Sequence, residues 1–141
     1  MNSLKYILAT LILFISSITL VQARDHFYEC GTVYMSTLNK KGWSDYQPTI
    51  LQYDVLISYP RMVLTDQDND KYYYTFSSYK KTFYTRDNKR YHQVIMNGLN
   101  SSTGDKVTVN LYEYDAYWDL LEIIESTGIK VLFKVHEIEK E

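Results

Sequence analysis

Three histidines, one cysteine and seventeen carboxylates are the side chains able to carry acid–base, nucleophilic or metal chemistry. Nucleophilic catalysis needs a Ser or Cys held against a base. His26 and Cys30 are four residues apart. On a strand they share a face, but at roughly 13 Å, beyond hydrogen-bond reach. His92 and His136 fall in strand-like stretches with no acid at a useful spacing, and Glu137 next to His136 would point to the opposite face. Three scattered histidines and a single thiol do not have the spacing of a zinc site. Paired carboxylates, the requirement for glycoside hydrolysis, can be drawn almost anywhere among so many acids and so specify nothing. No catalytic residue, metal ligand or cofactor is expected, and the chain is read as a non-enzyme.

Three segments have chemistry suited to binding. Asp66-Gln67-Asp68-Asn69-Asp70 opens like a calcium loop, with clustered hard oxygen ligands. The loop is not completed: Lys71 stands where the glycine is required and Ser77 where the closing acid is required. A solvated hairpin turn is the expectation. Tyr79 to His92 interleaves Lys80, Lys81, Arg86, Lys89 and Arg90 with aromatics, against Asp87 alone. Such a stretch attracts anions by charge and rings by stacking. Glu113 to Glu125 holds five acids and no base, with Asp119 and Glu122 expected on a wet face. The binding candidates drawn from these patterns are Tyr73, Lys80, Lys81, Tyr84, Arg86 and Arg90, with Tyr73 and Tyr84 expected to point outward.

The chain begins with one base, Lys5. An uncharged run from Tyr6 to Leu20 follows, and Val21-Gln22-Ala23 ends it as small-x-small before Arg24-Asp25. This order predicts a signal peptide over residues 1–23, cleaved after Ala23, and export to the periplasm or the extracellular space. The run is short for a membrane span and lacks a basic stop-transfer flank, so no span is expected after cleavage. Phe27-Tyr28-Glu29 before Cys30 excludes a lipobox, which requires small residues there. Lys5 is the only charged residue ahead of Arg24, so the remaining chain is mildly acidic. That balance argues against nucleic acid as a partner. With one cysteine no internal disulfide can form, so apolar burial must hold the fold and Cys30 is expected to be a small buried hydrophobe. Asn100-Ser101-Ser102 is a glycosylation sequon in a predicted loop.

One composition regime over residues 24–141 predicts a single domain. Fourteen of the fifteen tyrosines lie in it, with many β-branched residues, and bias it toward strands. Alternation marks strands at His26 to Thr37, Leu51 to Ile57, Arg61 to Thr65, Lys71 to Ser77, Lys81 to Thr85, Arg90 to Asn97, Val107 to Leu111 and Ile129 to Ile138. Turns are expected at Asn39–Gly42, Tyr59–Arg61, Asp66–Asp70 and Arg86–Lys89, and a loop over Gly98–Lys106. Asp115 to Thr127 differs. Its apolar residues at 117, 120, 121 and 124 follow helical spacing, Asp115 suits an N-cap and Gly128 a C′ position. A helix near residues 115–127 is therefore predicted.

Short turns favour antiparallel neighbours. The fold class is mainly β (α+β): a small antiparallel β-barrel or curved sheet with one helix. The layout resembles a small calycin-type barrel, and a likeness of layout carries no function. The functional expectation is an exported binding module for a small apolar ligand or an envelope or protein partner. The alternative is a protein–protein inhibitor, such as an immunity protein against an exported toxin or hydrolase.

Overall fold

The computed structural model describes residues 25–138, so the predicted signal segment and its cleavage site lie outside the described residues. Every regular element is a strand: β1 (His26–Asn39), β2 (Gly42–Trp43), β3 (Gln47–Pro48), β4 (Tyr53–Ser58), β5 (Arg61–Asp66), β6 (Lys71–Arg86), β7 (Lys89–Asn100), β8 (Lys106–Glu113), β9 (Asp119–Glu125) and β10 (Ile129–Ile138). From β4 onward each strand pairs antiparallel with the next, and β1 pairs with both β4 and β10. These pairings close an eight-stranded up-and-down barrel. The short β2 and β3 add to the C-terminal half of β1, where β4 has parted from it.

Alternation along each strand decides what enters the core. Val33, Val55, Ile57, Met62, Leu64, Tyr74, Phe76, Met96, Val107, Val109, Leu121, Ile123, Phe133 and Val135 are buried in one cluster. Two bulges adjust the closure, one in β1 between Cys30 and Val33 and one in β6 between Phe76 and Ser78. Gly98 sits opposite the second. A Cβ there would lie 2.0 Å from the Thr75 carbonyl oxygen, so only glycine lets β7 approach the bulged strand.

The predicted helix is absent. Residues 119–125 form β9, and a turn precedes it. Leu121 and Ile123 fill the barrel interior. The outer positions Leu120, Glu122 and Ile124 are half-buried. The connection after β2 folds back over the outside of β1, β10 and β9. It buries Ser36, whose hydroxyl donates to the Ser44 carbonyl at 2.6 Å, and it brings the Tyr46 hydroxyl to Glu122 Oε2 at 2.8 Å. Asn110 Nδ2 reaches Glu122 Oε1 at 3.0 Å. A strand covered on both faces carries apolar residues on both, and adjacent apolar pairs imitate helical spacing. Asp115 and Gly128, expected as helix caps, serve turns at the two ends of β9 instead. Asp115 Oδ1 accepts from the backbone of Tyr117 (2.8 Å) and Trp118 (2.6 Å) in the β8–β9 turn. Gly128, at φ 97°, serves the β9–β10 turn.

Two smaller corrections concern the longest hairpin. The two strands expected over 71–77 and 81–85 are one continuous strand bent at the bulge, and β7 runs through Gly98 to Asn100 where a loop was expected. The hairpin turn itself stands where the sequence places it. Asp87 and Asn88 both adopt positive φ, 52° and 63°, as a two-residue type I′ connection requires.

Candidate functional site in the mouth of the barrel

The barrel's two ends differ in how far the side chains fill them. At the end holding the β5–β6, β7–β8 and β9–β10 turns, the ring of Tyr53 meets Phe133 edge-on at 5.5 Å and Tyr72 at 6.3 Å. Tyr74 is buried there, and burial followed by the nearby Glu125 carboxylate raises its pKa. This end is plugged.

At the other end a partly open cavity of about 730 Å³ enters the barrel. Ile57, Val94, Met96 and Leu111 form its apolar wall; Tyr28, Tyr59 and Tyr79 supply rings; and His26, Ser77 and Ser78 supply polar atoms. Each side chain is placed by its strand. His26 and Tyr28 share the inner face at the start of β1, and Tyr59 opens the turn after β4. The β6 bulge turns Ser77 and Ser78 toward the opening and shifts the inward phase to odd positions, so that Tyr79 faces in, opposite Met96. Tyr59 packs edge-on against Tyr79 at 5.5 Å and lies parallel to Phe76 at 6.4 Å. Among the described residues no hydrogen bond engages the hydroxyls of Tyr28, Tyr59 and Tyr79.

Charge gathers on the β8–β10 side of this mouth. Glu113, Asp119 and Glu137 hold inward-phase positions at the ends of their strands. His26 Nδ1 lies 2.6 Å from Glu137 Oε1, within hydrogen-bond distance. Burial, then the Glu113 carboxylate, pushes the Asp119 carboxyl up to about 6. Burial, then Glu137 and Asp119, raises the Tyr28 phenol. A phenol kept neutral beside carboxylates serves as a hydrogen-bond donor rather than as a base. The expectation of Asp119 and Glu122 on a wet face is corrected: Asp119 faces the interior, and Glu122 is held by Tyr46 and Asn110.

The six binding candidates do not form one site. Tyr73 lies on the outer wall of the plugged half, paired with Val63, and is exposed. Lys81 and Arg90 face inward on the β6–β7 extension, where the Arg90 guanidinium lies 3.9 Å above the Phe83 ring. Lys80, Tyr84 and Arg86 are on the other face. Tyr84 stacks with Tyr91 and meets Tyr112 edge-on, and its hydroxyl donates to the Glu113 carbonyl. Arg86 donates to the Tyr114 carbonyl and lies 4.0 Å above its ring. Tyr73 and Tyr84 do point outward, as alternation indicated.

The remaining candidates are separated. The His92 ring lies 4.8 Å from that of Phe83, tilted by 51°, and its backbone N–H faces Glu113 Oε1 at 3.4 Å. His136 stacks on Tyr117 at 3.9 Å on the outer surface, away from Glu137. Asp66 is occupied by its own turn: Oδ1 accepts from the backbone of Asp68 and Asp70, and Oδ2 from the Tyr72 hydroxyl. Cys30 is half-buried against the core, and burial pushes its thiol up to about 12, where it is no thiolate nucleophile at neutral pH. No cluster of three His, Cys, Asp or Glu side chains suited to a metal occurs among the described residues.

Sequence reasoning missed the mouth because its lining residues come from five separate strands. The available signal was the Ser77-Ser78 pair, which breaks the alternation of an otherwise aromatic strand. No protein family, curated protein or solved structure matches this chain.

Proposed function

We propose that this protein is an exported, non-enzymatic binding module that holds a small apolar ligand in the mouth of its barrel. The observation that carries the reading is the cavity of about 730 Å³ between Tyr28, Tyr59, Tyr79 and Met96. Its size falls within the roughly 300–1,000 Å³ typical of ligand sites, and apolar walls with a few convergent polar groups are the usual composition. Tyr28, Tyr59 and Tyr79 offer flat apolar area, and their hydroxyls, with those of Ser77 and Ser78, can orient one polar end. Glu137 and Asp119 beside Tyr28 disfavour an anionic ligand. An exported molecule of this shape suits capture or carriage in the envelope or medium.

The test is titration with a neutral naphthylamine dye, together with native mass spectrometry of the purified protein. A 1:1 complex is expected, weakened about tenfold or more when Val94→Trp fills the cavity. Dye binding unchanged in that variant overturns the proposal. Inhibition of an exported enzyme is the second reading. The feature that favours a protein partner is a strand edge that runs from the cavity rim out along the β6 extension.

A further inference from the structure

Beyond the cavity, β6 has an edge that the barrel does not use. β5 pairs with β6 only along Lys71–Thr75, and the last tie is the Phe76 N–H to the Pro60 carbonyl at 2.7 Å. From Ser77 to Arg86 the strand has β7 on one side. Among the described residues no backbone hydrogen bond reaches its other side. The extension is nevertheless held in place. Its opposite flank is fixed by Tyr84 to the Glu113 carbonyl and by Arg86 to the Tyr114 carbonyl and ring. The free edge is thus a long, preformed row of donors and acceptors rather than a loose flap.

Its side chains are selective. Tyr79 and Phe83 are 53% and 50% exposed on the inner face, with Lys81 between them; Lys80 is exposed on the outer face. Lys80, Lys81 and Arg86 are the only charged residues from Ser77 to Arg86. We infer that this edge docks an extended, acidic segment of a partner protein as an added strand. Main-chain hydrogen bonds would supply affinity. Alternation would set apolar partner residues beside Tyr79 and Phe83 and acidic ones beside Lys80 and Lys81. A second copy of this chain is disfavoured, because edge-to-edge pairing would bring together two edges that each carry Lys80, Lys81 and Arg86 with no acid.

Random peptides of about ten residues, long enough to span the edge, are selected on the purified protein. The best synthetic peptide is then mapped by amide hydrogen exchange. Enriched peptides are expected to carry two adjacent acidic residues, to match Lys80 and Lys81, with apolar residues on either side, and to protect alternate amides between Ser77 and Arg86. Lys80→Glu combined with Lys81→Glu should weaken binding about tenfold or more. Leu111→Trp, which fills the same cavity from β8 and does not adjoin β6, should leave it intact, which separates this surface from the cavity. No enrichment, enrichment without acidic bias, or a footprint elsewhere overturns the inference. Protection of 77–86 that grows with protein concentration alone also overturns it, and assigns the edge to a second copy.

Discussion

The plugged and open ends of the barrel are built from the same strands and differ in what those strands present at each height. Toward the plugged end the inward positions of neighbouring strands hold Tyr53, Leu64, Tyr74, Val107, Ile123 and Phe133, which meet and exclude water. Toward the open end the inward positions pass to Ser77, Ser78, Tyr79, Glu113, Asp119 and Glu137. The strands also stop matching in length. β6 and β7 continue beyond their neighbours, while β5 begins only at Arg61. One half of the molecule is therefore packed shut, and the other is left open. The ends should respond differently to substitution.

The largest effect is expected at Phe133, 1% exposed at the centre of the packed half. Phe133→Ala should cost about 3–5 kcal/mol, read by urea denaturation, because little around it can collapse into the space. The contrasting change is Val94→Ala on the cavity wall, partly exposed and already bordering empty volume. It should cost below about 1 kcal/mol while altering dye affinity. Comparable losses at the two sites would mean that the mouth is as much a core as the plugged end.

Asp119 gives a smaller effect with a defined pH window. Its carboxyl is raised to about 6 in the folded chain, above the ordinary value near 4 of an unfolded aspartate. The folded state then binds the proton more tightly, so this group's contribution is fully present below about pH 4 and is lost as pH rises through about 6. Allowing for the solvent that reaches Asp119, the loss between pH 4 and 7 is about 1 kcal/mol. Asp119→Asn should flatten that part of the stability–pH curve. If the variant keeps the wild-type slope, the carboxylates do not repel one another across the mouth.

The same contrast explains what was legible in the sequence. The packed half reads directly, because Leu51 to Ile57 and Ile129 to Ile138 alternate cleanly between a wet and a buried face. Asp87-Asn88 reads equally well, because a two-residue hairpin turn has strict local requirements. β9 does not, because its outer face is covered by a connection from the other end of the chain, and local spacing carries no record of a partner about 76 positions away. The mouth was invisible for a related reason. A site assembled from five strands has no spacing of its own, and the charged stretch from Tyr79 to His92 divides between two faces once the β6 bulge sets its phase.

The smallest effect on overall stability should come from the hairpin tip, and it is the most informative about how far the two halves are independent. Asn88 sits at φ 63°, where alanine is strained and asparagine is tolerated. Asn88→Ala should weaken the turn by roughly 0.5–1 kcal/mol. The extension touches the barrel mainly through Tyr84, Arg86 and the β8–β9 turn, so this strain can be relieved by local opening without unfolding the core. Amides between Lys80 and Gln93 should then exchange faster while those of Leu121, Ile123 and Phe133 keep their wild-type protection, with little change in the urea midpoint. If core amides accelerate in step with the hairpin, the extension is part of the same cooperative unit as the plugged end. The open edge of β6 would then be held by the whole barrel rather than by its own contacts.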